Sequence, residues 1–258
     1  MKQQIPCFVV NLATAKARRA SMTAMLDRHG IEPTWFDAVD GRIMSDEALA
    51  RNVDRARADR EYGPLSRAEI GTSLSHLGIY RQMVEQNIPC AVILEDDVEL
   101  AEDFRSLLQA QGSGALASAF KPDQPVMVQI THVRRGYRLG RRSIGPRAIV
   151  KPHGGVWLTS GYFITQAAAR NLLEHAYPVF MVADHWRYFE RQHWLNIYAL
   201  TPNAVWESVH SQQSDITAAG RVSRRNDNKT ALTRLTRWAD KLFLQPLLVT
   251  RLPEQRAD

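Results

Sequence analysis

Three consecutive carboxylates, Glu95, Asp96 and Asp97, are the residues of this sequence best suited to chemistry. They follow the apolar run Ala91–Leu94 directly. Adjacent acids repel one another, and holding them at the end of a buried strand is costly unless a cation compensates. Carboxylate oxygens from one or two side chains, completed by substrate phosphates, suit Mg²⁺ or Mn²⁺. Taken alone, the triplet is compatible with such a metal site or with a solvated acidic turn.

The run before the acids predicts the element that positions them. Four uninterrupted apolar residues after Pro89 indicate a strand covered on both faces, as in a mostly parallel sheet. In such sheets, ligands bind beyond the carboxyl ends of the strands. Alternation along a strand sends Glu95 and Asp97 to one face and Asp96 to the other, so at most two of them share one ion.

A second polar group follows the first predicted strand. Residues 5–10 are apolar and end at Asn11, and residues 14–29 then read as a helix that carries Arg18 and Arg19. Thr14 is the expected N-cap of this helix and Gly30 its stop. Asn11 and the two arginines could meet an anionic ligand over the strand end. Solvent-facing arginines are the alternative.

The best-specified helix begins at Ser66-Arg67-Ala68-Glu69, which forms a capping box. Ile70, Leu74, Leu77 and Val84 follow at helical spacing. This helix carries His76 just off its apolar stripe and leads into the acidic strand.

Three further candidates lie later in the chain. Gly161 falls in the middle of a strand predicted over residues 157–164, where glycine often marks close approach of a ligand or of another backbone. Asp184 opens a helical stretch and could be its N-cap. His210 lies in the segment Ser208-Val209-His210-Ser211, and a lone histidine is more often unspecialised.

The composition indicates a basic α/β protein. The chain has 258 residues, 45% of them hydrophobic, and 33 Lys and Arg against 27 Asp and Glu, which gives a net charge of +6. This charge suggests polyanionic or membrane-surface partners. Cys7 and Cys90 lie in apolar runs without metal or disulfide spacing. Neither a signal peptide nor a long apolar span is visible, so a soluble cytoplasmic protein is expected.

Two basic stretches remain. Residues 134–151 contain six arginines, one lysine and three glycines, which predicts a flexible loop that binds a phosphorylated substrate, closes over the acidic site or is merely solvated. Residues 232–243 combine a Leu, Trp and Phe stripe with Arg and Lys. That pattern predicts a helix lying on an anionic membrane or packed on the domain. The expected division is a catalytic domain over 1–220 and a basic segment over 221–258.

In order, the segments VVNL, AVDG, SRAEIGTSLSHLGIYRQMVEQNIPCAVILEDDV, TSGYFIT and ADHW resemble glycosyltransferase family 25 over roughly residues 5–215. That family comprises bacterial lipooligosaccharide galactosyl- and glucosyltransferases and procollagen galactosyltransferases. The resemblance implies a GT-A-like nucleotide-sugar-binding α/β fold and transfer with inversion. Thr72-Ser73 and Ala183 depart from the family's usual residues. The absence of a signal peptide and an endoplasmic-reticulum retention tail favours the bacterial branch.

The resemblance also implies roles. The acidic motif would hold Mn²⁺ or Mg²⁺ that carries the diphosphate of a UDP-sugar, with Asp97, Glu95 and His210 as candidate metal ligands. Asp184 would take the proton of the acceptor, which is a lipid-linked saccharide or an oligosaccharide. The residues then expected to contact the donor are Asn11, Arg18, Arg19, His76, Glu95, Asp96 and Gly161.

Two rival functions account for part of the same evidence. A metal-dependent nucleotidyltransferase or phosphohydrolase also needs carboxylates at a strand end, and the fate of the donor distinguishes it. A nucleic-acid binder is suggested by the net charge, but the sequence contains no helix-turn-helix, zinc finger or aromatic sheet platform. Nucleic acid is therefore not an expected partner.

Overall fold

The computed structural model describes residues 4–112, 114–121, 123–208 and 245–256, and its centre is an eight-stranded sheet with the spatial order β2-β1-β3-β9-β5-β10-β8-β7. The strands of the described ranges are β1 (Cys7–Asn11), β2 (Thr34–Asp37), β3 (Cys90–Glu95), β4 (Val98–Leu100), β5 (Val126–Gln129), β6 (Arg135–Tyr137), β7 (Arg142–Ile144), β8 (Arg147–Val150), β9 (Gly161–Thr165), β10 (Asn196–Thr201), β11 (Val205–Glu207) and β12 (Val249–Arg251). Two small sheets, β4 with β11 and β6 with β12, complete the strand pairing.

Helices flank this sheet. Those of the described residues are α1 (Lys16–Arg28), α2 (Asp46–Asn52), α3 (Arg55–Glu61), α4 (Arg67–Glu85), α5 (Phe104–Leu107), α6 (Gln166–Ala176), α7 (Trp186–Arg191) and α8 (Gln245–Leu248). The predicted α/β class with a central sheet between helices is therefore confirmed. The sheet is mixed: six of its eight strands run in one direction, while its neighbouring pairs are three parallel and four antiparallel.

The predicted strand before the acids is β3, which is buried on both faces. Val92 and Leu94 belong to the core on the side of α1, whereas Ile93 packs with residues of α4, α6 and α7 on the opposite side. β1 lies parallel beside β3, and Val10 pairs with Glu95. Because parallel neighbours end at the same edge of the sheet, Asn11 and the acidic residues come together there.

The long helix α4 has the predicted capping box: the Ser66 hydroxyl accepts from the Glu69 backbone, and the Glu69 carboxylate accepts from Ser66 N. Near its N-terminus, α4 packs closely against the turn that contains Gly41. A Cβ added at Gly41 would lie 1.8 Å from the Arg67 carbonyl oxygen, and one at Gly71 would lie 2.5 Å from Val39 O. Glycine at both positions is what allows this close packing, which holds the turn against the helix.

The prediction of a flexible loop over residues 134–151 is wrong. This stretch forms β6, β7 and β8, and β8 joins the main sheet against β10. Arg147 is buried and makes a bidentate ion pair with Asp103. It also donates to the carbonyl oxygens of Pro202 and Asn203. Arg142 stacks on the rings of Phe120 and Tyr198. Packing partners distant in sequence thus order a segment whose composition alone indicated a loop.

Three local predictions also need correction. Helix α1 begins after Ala15 with no side-chain cap, so Thr14 does not cap it. The sequence from Leu100 to Gln111, which ends at Gly112-Ser113-Gly114, also predicts a helix, but the structure has only the single turn α5 there, preceded by β4. The strand predicted over residues 157–164 begins only at Gly161, so this glycine opens β9 rather than interrupting it.

The last described residues return to the domain. Strand β12 pairs with β6, and Leu252 is buried. Asn203 donates to Gln255 O and accepts from Gln255 N, which fastens this end beside β10. His210 and the helix predicted over residues 232–243, on a membrane or packed on the domain, lie outside the described ranges, as does the expected boundary at residue 220.

Candidate functional site

Asp96 is the most firmly held of the three acids. Asn11 Nδ2 donates to its Oδ2 at 2.5 Å, and Arg18 Nε lies 3.5 Å from the same oxygen. Burial raises the pKa of Asp96 above its ordinary value, although Asn11 and Arg18 act against this rise. The structure therefore brings three predicted residues together at the ends of β1 and β3. There, Asn11 and Arg18 contact the Asp96 carboxylate itself.

Glu95 points to the other side of the sheet, as strand alternation predicts. The Thr159 hydroxyl donates to Glu95 Oε1 at 2.5 Å, and His76 Nε2 lies 3.9 Å from the same oxygen. This second distance is too long for a hydrogen bond, so His76 acts on Glu95 as a nearby polar group. Burial raises the pKa of Glu95, but His76, Thr159 and Arg18 outweigh it and hold the pKa below its ordinary value.

His76 belongs to a buried chain of polar groups. Its Nδ1 lies 2.6 Å from the Tyr162 hydroxyl, which lies 2.7 Å from the Tyr80 hydroxyl. All three side chains are buried. Burial is also the main cause that raises the pKa of both tyrosines, so both remain neutral phenols. His76 and Tyr80 lie four residues apart on α4, hence on one face of the helix.

Asp97 lies in the turn between β3 and β4, beyond the strand, so alternation no longer fixes its side. Its Oδ1 is buried and has no hydrogen-bond partner within the described ranges. Burial is the main reason that the pKa of Asp97 rises from 3.8 to about 7, and the charges of Glu95 and Asp96 raise it further. A cation beside this oxygen would supply its missing partner and offset the repulsion. The residues present therefore fit a divalent metal.

A metal at this position would need oxygen ligands from a bound substrate or from water. Within the part of the chain that the structure describes, no group of three His, Cys, Asp or Glu side chains converges on a metal position. An incomplete protein shell of carboxylates suits Mg²⁺ or Mn²⁺ shared with phosphates.

Two clefts meet at the acids. A cleft of about 970 Å³ runs between α1 and β4, and a smaller one of about 150 Å³ lies between the Val39–Arg42 turn and α4. The larger one is of a size that holds an extended small molecule. Five residues line both clefts: Leu12, Arg18, Arg42, Asp96 and Asp97. His76 and Glu95 line the smaller one only.

Asp184 approaches the same region from another element. Its Oδ2 accepts from the Leu158 backbone N–H at 3.3 Å, and the next residue, Thr159, is the one that binds Glu95. The N-cap position of α7 is His185, not Asp184. The N-cap interpretation of Asp184 therefore fails, and its carboxylate lies beside the segment that carries Thr159.

Two residues predicted to contact the sugar donor, Arg19 and Gly161, contact other parts of the protein instead. The Arg19 side chain turns toward β2, where it stacks over Trp35 with its guanidinium carbon 4.4 Å from the ring centre and lies 3.5 Å from Asp37. Gly161 is buried, and a Cβ added there would lie 3.0 Å from Val205 Cγ1 and 3.3 Å from Thr131 Cγ2. The close approach predicted at this glycine is thus made by core side chains.

Sequence reasoning missed Thr159, Tyr162 and Arg42. Thr159 and Tyr162 reach the site because β9 pairs with β3, which sets Gly161 opposite Leu94. Arg42 follows the Asp-Gly turn signal, and its guanidinium is held by two hydrogen bonds to Asp40 at 2.8 and 2.9 Å. The turn signal could have pointed to Arg42. No feature of the local sequence predicts the pairing of β3 with β9.

Comparison with known proteins places the chain among glycosyltransferases. The family model described as "Glycosyltransferase family 25 (LPS biosynthesis protein)" matches residues 4–186. The Lacto-N-neotetraose biosynthesis glycosyltransferase LgtB of Neisseria meningitidis is 26% identical over 215 residues, covering 78% of this chain and 75% of that protein.

Animal relatives match over shorter stretches. Procollagen galactosyltransferase 2 of Homo sapiens is 32% identical over 105 residues, covering 39% of this chain and 17% of that protein. The probable inactive glycosyltransferase 25 family member 3 of Rattus norvegicus is 29% identical over 179 residues, covering 64% and 29%. This chain thus spans three quarters of the bacterial relative but less than a third of the animal proteins. No helix within the described residues is long and apolar enough to cross a membrane.

Proposed function

This chain belongs to glycosyltransferase family 25, and we propose that it transfers galactose or glucose from a UDP-sugar to a saccharide hydroxyl with inversion at the anomeric carbon. The observation that carries the proposal is the Asp97 carboxylate. Its buried Oδ1 lacks a partner in the described ranges, and it lies where the two clefts meet beside Arg18. A site that is short of positive charge, yet bordered by an arginine, suits a diphosphate that arrives with a metal.

The donor side of the reaction needs stabilisation of the departing UDP. A bound Mn²⁺ or Mg²⁺ would supply Lewis-acid stabilisation of this leaving group, with Asp97 and Glu95 as its protein ligands. Thr159 orients Glu95 by its hydrogen bond, and Asn11 holds Asp96 beside Arg18. The Arg18 guanidinium adds positive charge where negative charge grows as the bond from the anomeric carbon to the diphosphate breaks.

The acceptor side needs a base, and we assign this role to Asp184. The acceptor oxygen forms the new bond to the anomeric carbon while its proton passes to the Asp184 carboxylate. Asp184 and Glu95 are hydrogen-bonded to the adjacent residues Leu158 and Thr159. Since consecutive Cα atoms are about 3.8 Å apart, this arrangement keeps the base and the metal-binding acid near each other. The two carboxylates thus have separate roles in a single displacement, Asp184 as the base and Glu95 as a ligand of the metal.

The proposed acceptor is a saccharide of lipooligosaccharide, lipopolysaccharide or another surface glycan. This assignment is supported by the family description and by the bacterial relative, which is named for lacto-N-neotetraose biosynthesis. A lipid-linked form of this acceptor places the enzyme in the cytoplasm at the inner face of the membrane. The basic sequence over residues 232–243 would provide the contact with anionic lipid.

Turnover of purified protein with UDP-glucose and UDP-galactose tests the function. With Mn²⁺ and an oligosaccharide acceptor, we expect release of UDP together with addition of one hexose to the acceptor, measured by mass spectrometry. Proton NMR of the product gives the anomeric configuration, which should be opposite to that of the donor. Transfer of a nucleotide, hydrolysis without transfer, or undiminished transfer after chelation and dialysis would contradict the proposal.

Membrane contact has its own test. Because β12 pairs with β6 and Leu252 is buried, truncating the chain before residue 232 would also remove part of the domain. The informative change is therefore Arg234→Glu with Arg237→Glu and Lys241→Glu in the full chain. We expect wild type, but not this variant, to sediment with vesicles containing anionic lipid at low salt. Equal sedimentation of the two proteins would argue against the contact.

A further inference from the structure

Trp157 is an exposed aromatic side chain beside the residues assigned to catalysis. Its side chain is 52% exposed, although tryptophan is usually among the more buried residues. Residues 156–160 form no helix or strand and lie in the connection between β8 and β9. The two residues after Trp157 are Leu158, which binds Asp184, and Thr159, which binds Glu95. An exposed indole therefore lies next to the backbone that holds both carboxylates.

The indole is fixed relative to Asp184 by contacts from neighbouring residues. Leu158 donates its N–H to Asp184 and accepts from Trp186 Nε1 at 3.0 Å. The Trp157 ring meets the His185 ring edge to face, with centroids 5.3 Å apart and an interplanar angle of 87°. Trp157 thus contacts His185, and Leu158 contacts Asp184. Movement of the indole would break its contact with the His185 ring, the residue next to Asp184.

The backbone before the indole leaves room for it in this orientation. A Cβ added at Gly155 would lie 2.5 Å from Trp157 Nε1. The indole edge therefore packs directly against the Gly155 backbone, while His185 is packed in turn against Tyr62 at a centroid distance of 5.7 Å. The orientation of Trp157 is set by the protein even though half of its surface is free.

We propose that Trp157 is a stacking platform for a pyranose ring of the acceptor, the ring whose hydroxyl Asp184 deprotonates. The inference rests on the proposed function, because it assigns the acceptor side of the same site. The face of an indole carries negative charge from its π electrons. The C–H groups on the apolar face of a pyranose carry slight positive charge, so this face fits the indole. Its hydroxyl groups remain at the ring edge, where Asp184 can reach one of them.

Saturation-transfer NMR provides a test of binding that does not depend on turnover. The probes are methyl β-glucopyranoside, methyl β-galactopyranoside and methyl N-acetyl-β-glucosaminide, each with wild type, Trp157→Ala and Trp157→Phe. We expect saturation of the ring protons of at least one probe by wild type, loss of it in Trp157→Ala and retention in Trp157→Phe. Leu139→Ala is the matched control, because Leu139 is 69% exposed but lies on the β6–β7 turn.

Steady-state kinetics adds a second readout. Trp157→Ala should raise the KM for the saccharide acceptor by about 5- to 10-fold, as loss of one aromatic contact implies. The KM for the UDP-sugar should change much less than the KM for the acceptor. The inference is overturned if wild type saturates no pyranoside, if Trp157→Ala binds and transfers like wild type, or if it weakens the donor equally. Failure of the proposed function looks different: wild type would release no UDP, while the NMR experiment still reports on the pyranoside.

Discussion

His76 Nδ1 lies 2.6 Å from the Tyr162 hydroxyl, while Nε2 of the same ring lies 3.9 Å from Glu95 Oε1. If Tyr80 donates to Tyr162 and Tyr162 donates to Nδ1, a neutral imidazole carries its proton on Nε2. Nε2 then presents an N–H to the Glu95 carboxylate 3.9 Å away. The reverse tautomer would present a lone pair to a carboxylate, which is unfavourable. Tyr162 therefore directs the Nε2 N–H of His76 toward Glu95, the proposed metal ligand.

Removing the Tyr162 hydroxyl should weaken metal binding while the fold survives. We expect Tyr162→Phe to reduce Mn²⁺ affinity about 10-fold, because groups that orient a metal ligand commonly contribute 10- to 100-fold. Tyr80→Phe is the control, since it removes a hydroxyl from the same buried chain but leaves the contact between Tyr162 and His76. Titration of Mn²⁺ by calorimetry measures both. A larger loss in Tyr80→Phe than in Tyr162→Phe would contradict the assigned direction of the chain.

Asp97 should make the metal-free protein less stable as the pH rises. Its pKa is raised from 3.8 to about 7 in the folded protein, so the folded state holds a proton that the unfolded state releases. The stabilisation from this proton is complete below about pH 4 and is lost as the pH rises through about 7. Asp97→Asn, which stays neutral, should therefore exceed wild type in stability at pH 8 by about 2–4 kcal/mol and match it near pH 4.

Differential scanning calorimetry with a chelator at pH 4, 6 and 8 measures this difference. Added Mn²⁺ should raise the Tm of wild type at pH 8 and leave the Tm of Asp97→Asn unchanged, because ligand binding stabilises only the protein that binds it. A variant that is less stable than wild type at pH 8 without metal would show that Asp97 has a compensating partner. An equal response of both proteins to Mn²⁺ would remove Asp97 from the metal site.

The acidic site was predictable where its determinants are local. The run Ala91–Leu94 specifies β3, and the capping box at Ser66 specifies the start of α4, so the sequence predicts both elements near the site. Strand alternation likewise predicts that Glu95 and Asp96 face opposite sides. It does not extend to Asp97, because the strand ends at Glu95 and the turn has no period of two.

Residues brought in by distant pairing could not be predicted. Arg18 and Arg19 are neighbours in sequence, yet only Arg18 reaches Asp96, since Trp35 and Asp37 of β2 hold Arg19. Arg147 looked like part of a solvated loop. Its burial depends on Asp103, 44 residues earlier in the chain. Both outcomes depend on which strands become neighbours, and local composition does not contain that information.

Gly41→Ala should strongly destabilise the protein. The new methyl group would lie 1.8 Å from Arg67 O, a contact with helix backbone that no side-chain rotation relieves. We expect a loss of about 3 kcal/mol or more, at the upper end for overpacking. Gly114→Ala is the matched control, because its nearest neighbour would be Ser106 Oγ at 3.6 Å, an ordinary contact. Denaturant unfolding measures the stability of both variants. Equal unfolding midpoints would mean that the turn packs less closely against α4 than these distances indicate.

Asp184→Asn should abolish sugar transfer while UDP still binds. The amide oxygen can accept the Leu158 N–H as the carboxylate does, so the local structure is preserved, but an amide cannot take the acceptor proton. General-base assistance contributes about 10²–10⁴-fold, so kcat should fall by at least about 10². Calorimetric titration with UDP and Mn²⁺ should give wild-type affinity. Leu158 is the backbone donor in this contact and its φ is +79°, so a change at residue 158 would confound geometry with chemistry. Transfer by Asp184→Asn within a few-fold of the wild-type rate would leave Asp184 as a support of residues 157–159, and the base would have to be sought elsewhere.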